Sequence, residues 1–256
     1  MEVSLEVLLF LVIASTFAGL VDSIAGGGGL IQLPSLLVSL PNTPTATILG
    51  TNKLPASLGT AGATITYLRR VRPDLKVAAF MAVPAFLGAA IGAKTATLIP
   101  KEAFRPLILV ALIAVFAYTW RRKDLGLVEN KSSKSGNQLL KAILFGSLIG
   151  FYDGVFGPGT GSFLMLVLVV VLGYAFLEAT VTTKIVNLST NIGALLVFGI
   201  AGEILWKLGL CMAVGNVAGG LLGARLAIRG GSNLVRKFFL LATSILILRL
   251  TFDTFF

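Results

Sequence analysis

Four charged residues stand isolated inside long apolar runs: Asp22, Lys53, Asp153 and Lys184. They form two pairs at one spacing, since 153 − 22 = 131 and 184 − 53 = 131. A lysine at bilayer depth costs about 3 kcal/mol or more, so such a position needs a purpose. The simplest use of two such ammonium groups is to hold an anion. The plainer reading is that each lysine snorkels to an interface or pairs with a nearby carboxylate. Asp22 and Asp153 could accept backbone N–H bonds at a chain break, pair with Lys53 or Lys184, or relay protons. Pairing is the leading reading, because buried carboxylates need partners.

Polar neighbours accompany both lysines. Lys53 lies in Gly50-Thr51-Asn52-Lys53-Leu54-Pro55-Ala56-Ser57, and Lys184 in Thr182-Thr183-Lys184-Ile185-Val186-Asn187-Leu188-Ser189-Thr190-Asn191. Asn52, Ser57, Thr183, Asn187 and Asn191 could donate hydrogen bonds to an oxyanion. Each aspartate precedes a glycine run, Gly26-Gly27-Gly28-Gly29 or Gly157-Pro158-Gly159-Thr160-Gly161. Gly28, Gly29, Gly159 and Gly161 could present bare N–H groups at a helix start to the same anion. Equally, glycine could simply permit a tight reversal or a close helix contact. The second run lacks a Gly-Lys-Ser/Thr ending and a preceding strand, which argues against a nucleotide site.

The rest of the composition excludes chemistries. There is no histidine, so Ser-His triads and histidine metal sites are impossible. The single cysteine, Cys211, allows no disulfide framework or CxxC motif and reads as a small helix-packing residue. No metal and no cofactor are expected. Of 256 residues, 56% are apolar and 12% charged, and the mean hydropathy is +0.93. That is too little polar material to coat a soluble domain, so the bilayer is the expected solvent.

The elements that position these residues are therefore membrane spans. Runs of about 20 apolar residues suggest crossings at 45–68, 76–98, 104–121, 179–201, 206–228 and 235–253. Two further stretches, 5–40 and 138–173, are too long for one crossing, about 54 Å as single helices. Each carries a glycine run in its middle and reads as a broken helical hairpin. The N-terminal flank holds Glu2 and Glu6 rather than a basic cluster, unlike a signal peptide. Trp120 and Trp206 sit near span ends as interfacial anchors do, and Pro34, Pro55 and Pro84 read as kinks or hinges.

The net charge of +10 reports topology rather than nucleic-acid binding. Basic residues collect in three places: Arg69, Arg70, Arg72 and Lys76; Arg121, Arg122, Lys123, Lys131, Lys134 and Lys141; and Arg225, Arg229, Arg236 and Lys237. Loops of this kind face the cytoplasm. All three fall on one side only if both long stretches enter and leave the membrane on the same side.

The 131-residue shift extends along the chain. It also pairs Gly19 with Gly150, Gly26 with Gly157, Thr51 with Thr182, Gly88 with Gly219, Gly92 with Gly223 and Arg105 with Arg236. The expected fold is an all-α polytopic membrane protein of two inverted repeats. Each repeat has three full spans plus a glycine-broken hairpin. Residues 1–121 form the first repeat, 122–137 a polar cytoplasmic linker and 138–256 the second. Inverted repeats with interrupted helices at matching positions are a transporter signature. Gly88-xxx-Gly92 and Gly219-xxx-Gly223 could join the two halves, or two protomers as a homodimer.

The motif Gly19-Leu20-Val21-Asp22-Ser23-Ile24-Ala25-Gly26-Gly27-Gly28-Gly29 with Thr51-Asn52-Lys53-Leu54 closely resembles the TauE/SafE family of membrane transporters. So does its second copy, Gly150-Phe151-Tyr152-Asp153-Gly154-Val155-Phe156-Gly157-Pro158-Gly159-Thr160-Gly161-Ser162 with Lys184. The resemblance covers essentially the whole chain. It implies a bacterial-type inner-membrane protein that exports sulfite or small organosulfonates.

Together these readings point to a secondary transporter for a small sulfur oxyanion, held by Lys53 and Lys184, with alternating access of the two halves. The partners expected are that anion and the lipid bilayer. Export needs no coupling ion, since an inside-negative potential expels a monoanion with about 2.3 kcal/mol per 100 mV. The alternative is an anion channel with the lysines as a selectivity ring. A third class, an aspartyl dyad of Asp22 and Asp153 acting as an intramembrane enzyme, lacks the usual flanking residues.

Overall fold

The computed structural model describes residues 4–96, 121, 127 and 137–255, and the expected span 104–121 and most of the linker lie outside them. The described residues are helical, with no strand among them. The elements are α1 (Leu5–Ala25), α2 (Gly29–Ser39), α3 (Thr45–Leu68), α4 (Leu75–Thr95), α5 (Gln138–Val155), α6 (Thr160–Leu166), α7 (Phe176–Ile200) and α8 (Trp206–Phe255). A π-helical turn over Val167–Val171 extends α6. α8 is broken at Gly231, whose φ of 61° and ψ of −167° are not helical, so it divides between the two spans expected there.

Among the described residues, five helices are long and apolar enough to cross a membrane: α1, α4, α5, α7 and Trp206–Ala242 of α8. α3 has 24 residues, also enough to cross, but carries Lys53, Asn52 and several threonines. The surface is apolar and the interior partly polar. Leu5, Phe17, Ile200 and Val214 are exposed, whereas Lys53, Lys184, Gln32, Asn52 and Asn216 are buried. That inversion suits a chain whose outer face meets lipid, and the protein is a multi-pass membrane protein.

The repeat reappears in the helix boundaries. Shifting α2 by 131 gives 160–170, against Thr160 to Val171 for α6 and its π turn. Shifting α3 gives 176–199, against Phe176–Ile200, and α4 begins at 75 + 131 = 206, the first residue of α8.

Both long stretches are pairs of helices broken at glycine. The first folds back on itself: Gly28 lies against Ala18 and Asp22, and the Ser15 hydroxyl donates to Gln32 Oε1 at 3.1 Å. In the second, Thr160 reaches Asp153, and the Phe163 ring meets Tyr152 edge-on at 5.4 Å.

The halves interlock. Gly219 of α8 lies against Thr16 and Leu20 of α1, and Gly223 against Leu20 and Ser23. Gly209 and Gly220 meet Leu54 and Gly59 of α3. The numbers rise together, so α1, α3 and the first part of α8 run parallel as one bundle. Reciprocally, Gly146, Gly150 and Gly154 of α5 lie against Met81, Ala85 and Ala89 of α4. Gly193 of α7 meets Phe86 of α4, and the Ser189 hydroxyl donates to Ala82 O at 2.8 Å. Thus α4, α5 and α7 form a second bundle. Gly88-xxx-Gly92 packs on Ser147, Phe151 and Val155 of α5, so both small-residue motifs join the two halves of one chain. Backbones approach so closely there that a Cβ would overlap main-chain atoms of the opposite helix.

Cys211, expected to pack between helices, is exposed instead. It lies on the outward face of α8, where its apolar surroundings in sequence are lipid-facing residues such as Leu210 and Val214. Pro34, Pro55 and Pro84 all sit inside helices without ending them.

Candidate functional site

The two glycine breaks meet. Gly26 ends α1 with φ = 78°, and Gly159 caps α6 with φ = 83°, both in the left-handed region that glycine alone adopts cheaply. The backbone of Gly26 packs directly on that of Gly161, leaving no room for a side chain on either. The Ser162 hydroxyl donates to Ala25 O at 2.8 Å and ties the two tips together.

The four isolated charges converge beside these tips, paired across the repeats. Lys53 Nζ donates to Asp153 Oδ2 at 2.7 Å and to Asp153 O at 2.9 Å. Lys184 Nζ donates to Asp22 Oδ2 at 2.8 Å and also to Asp22 O. Each lysine thus neutralises the carboxylate of the other half and holds the last turn before the other half's break. The plainer reading of the lysines, pairing with a carboxylate, describes this arrangement. Burying a charge pair is tolerable only with such full hydrogen bonding.

A small cavity, open on one side, lies against these groups. Asp22, Lys53, Asp153, Asn52, Asn187, Asn191, Gly28, Gly29 and Gly161 line it. These are nine of the residues singled out by sequence. Four others stand behind the wall. Lys184 is fully buried under Asp22, and Gly159 caps α6. The Ser57 hydroxyl is occupied by Lys53 O at 2.7 Å. Thr183 is buried with its hydroxyl unpartnered among the described residues. Asn52, the repeat mate of Thr183, likewise leaves Oδ1 unpartnered while facing the cavity.

Sequence reasoning passed over an amide cluster on the same wall. Asn216 Nδ2 donates to Gln32 Oε1 at 2.6 Å and to Ser15 Oγ at 3.3 Å, and Gln32 Nε2 donates to Asn52 O at 3.1 Å. Gln32 and Asn216 line the cavity, as do Thr60 and Thr160. A signal for them exists, since an amide in an apolar run is as anomalous as a charge. The repeat hides them, because a shift of 131 relates Ser15, Gln32 and Asn216 to Gly146, Phe163 and Ala85. One wall of the cavity is therefore amide-rich where its counterpart is small or aromatic.

A neutralised, polar space between two interlocked bundles suits the passage of a small polar solute. It offers ammonium, amide and hydroxyl donors together with carboxylate acceptors. Among the described residues there is no cluster able to hold a metal ion.

Comparison with known proteins identifies the family. The chain is 38% identical over 252 residues to "Probable membrane transporter protein ORF9" of a Sinorhizobium species, covering 98% of this chain and 95% of that protein. It is 33% identical over 253 residues to a "Probable membrane transporter protein" of Haemophilus influenzae, covering 99% and 98%. It is 33% identical over 237 residues to "Probable membrane transporter protein YfcA" of Escherichia coli, covering 93% and 87%. No solved structure matches significantly. Residues 11–250 match the model of the family described as sulfite exporter TauE/SafE. The interlocked helical repeats, the central polar cavity and these matches together make this chain a membrane transporter, not an enzyme, of the TauE/SafE family.

Proposed function

We propose that the protein is a secondary transporter that exports a small sulfur oxyanion, sulfite or an organosulfonate, across the inner membrane by alternating access. The observation that carries this reading is the cavity between the two glycine tips, lined by Lys53, Asn52, Asn187 and Asn191 and backed by Lys184. The family description supplies the sulfur oxyanion.

The repeats are read as inverted. Gly50 near the start of α3 lies against Phe198 near the end of α7 and Glu203 just beyond it, as antiparallel helices would place them, which supports that reading. The two repeat units remain 1–121 and 138–256, joined by a cytoplasmic linker at 122–137. Because each half lends a helix to the other, the moving bodies are best taken as the mixed bundles α1/α3/α8 and α4/α5/α7, rocking about the cavity. In this role Asn52, Asn187, Asn191 and the first turn of α2 at Gly28 and Gly29 would meet the anion's oxygens. Ser57, Thr183, Gly159 and Gly161 would shape the wall behind them.

Counterflow tests the reading. Liposomes holding the purified protein and unlabelled sulfite should take up radiolabelled sulfite faster than liposomes loaded with chloride. Uptake that ignores the internal sulfite would favour the channel alternative, and no uptake at all would remove sulfite as substrate.

A further inference from the structure

The two ion pairs are equivalent by repeat and unequal in surroundings. Asp153 is fully engaged: Oδ2 takes Lys53 at 2.7 Å, Oδ1 takes the Thr160 hydroxyl at 2.7 Å, and its side chain is 2% exposed. Asp22 is looser: Oδ2 takes Lys184 at 2.8 Å and Thr60 at 3.4 Å, and its side chain is 19% exposed toward the cavity. Among the described residues nothing bonds Asp22 Oδ1. The reason is in the sequence, because the repeat mate of Thr160 is Gly29 (160 − 131 = 29), which has no hydroxyl.

The charges around the cavity sum to zero, with Lys53 and Lys184 against Asp22 and Asp153. A monoanion entering such a site brings an uncompensated charge into a poorly solvated space. A proton arriving with it removes that cost. We propose that Asp22 is the site of that proton, so that each anion crosses together with one H⁺. This coupling rests on the transport reading above.

In the step itself, Asp22 Oδ1 takes a proton from water on the loading side. The Lys184 ammonium stays charged and is no longer neutralised. The new carboxyl O–H becomes a donor facing the cavity, and the anion's charge balances Lys184. On the far side the anion leaves, the proton returns to water and the Asp22–Lys184 pair closes again. The loaded and empty forms carry the same net charge, so the membrane potential exerts no pull on the loaded form. Net export then runs down the anion's own gradient and against an inward proton gradient, without the voltage-driven pull expected of an uncoupled carrier.

The charged groups around Asp22 are paired or turned outward. Lys184 faces it from α7, and Tyr67 of α3 lies nearby with its O–H donated to Ser23 O. Lys53 of α3 and Asp153 of α5 share the cavity but are bonded to each other. α2 and α6 contribute no titratable side chain. α8 places Gly219 and Gly223 against α1, and its Arg225 and Arg229 are exposed.

The test uses the purified full chain in liposomes and radiolabelled methanesulfonate, a sulfonate that stays ionised near neutrality. With no voltage and one unit of pH difference, the wild type should accumulate the probe about tenfold on the alkaline side. A voltage set by potassium and valinomycin, without a pH difference, should accumulate none. Asp22→Asn should lower the flux, and the flux that remains should follow voltage and ignore pH. Wild-type accumulation driven by voltage and indifferent to pH would overturn the coupling while leaving transport intact. Absence of any wild-type flux would overturn the organosulfonate reading and the coupling with it. An Asp22→Asn protein that still accumulates the probe with pH as the wild type does would overturn Asp22 as the proton site.

Discussion

Lys53 of the first repeat donates to Asp153 of the second at 2.7 Å, so its counter-charge comes from the other half of the chain. Both side chains are almost fully buried, at 3% and 2% exposure. Removing one partner strands the other in a medium that cannot solvate it. Lys53→Ala should therefore cost about 3–5 kcal/mol, and Lys53→Ala with Asp153→Ala should recover much of that loss. Thermal unfolding in detergent of the two single variants and the double variant measures it. A double variant as unstable as the sum of the singles would show that the pair is not the relevant interaction.

The interlock of the halves makes an opposite prediction for two glycines of similar sequence setting. A Cβ at Gly219 would overlap Thr16 O on α1, whereas at Gly62 it would meet only side-chain carbons of Leu221 and Val217, the nearest at 3.6 Å. Alanine favours a helix interior over glycine by about 1 kcal/mol. Gly62→Ala should thus be neutral or slightly stabilising, and Gly219→Ala should lower the melting temperature by several degrees. Equal effects at both positions would contradict the close packing of α1 on α8.

The amide cluster should matter for stability as well as for the cavity. Asn216→Ala removes the 2.6 Å bond to Gln32 Oε1 and leaves that oxygen with the Ser15 hydroxyl, at 3.1 Å, as its one donor among the described residues. A loss of about 1–3 kcal/mol is expected. Denaturant melts should show it. Gln32→Leu with Asn216→Ala should be less harmful than the sum, because the acceptor that lost its shorter bond is removed too.

Cys211 offers a probe that needs no added residue. It is exposed on α8 among lipid-facing side chains. A membrane-permeant maleimide should label it in vesicles, and a charged, impermeant reagent should label it poorly. With Cys211 changed to Ala, single cysteines at Ser4 and at Ser133 in the linker map orientation. If both long stretches are same-side hairpins, three crossings separate residue 4 from the cytoplasmic linker, so Ser4→Cys should react from outside the cell and Ser133→Cys only after the membrane is opened. Reaction of both from one side would overturn the proposed topology.

Much of the fold is legible in the amino-acid sequence. Apolar run lengths match α3, α7 and the two parts of α8 to within a few residues, because the bilayer demands continuous apolar helix. The glycine breaks are legible because clustered glycine and proline interrupt helices. The repeat singles out Asp22, Lys53, Asp153 and Lys184, since rare charges at a constant shift do not arise from apolar composition alone. The amide wall escapes the same filter because Gln32 and Asn216 have no polar repeat mates.

The amino-acid sequence by itself determined the membrane setting, the 131-residue repeat and the four charged residues embedded in its apolar runs. Those follow from hydropathy and spacing, which are local properties of the chain. Only the tertiary structure decided which lysine neutralises which aspartate and that α4 and α8 are exchanged between the halves. Each of these depends on which helices lie side by side. That is set by the packing of glycine faces such as Gly88 on Ser147 and Gly219 on Thr16, contacts between residues far apart in the chain.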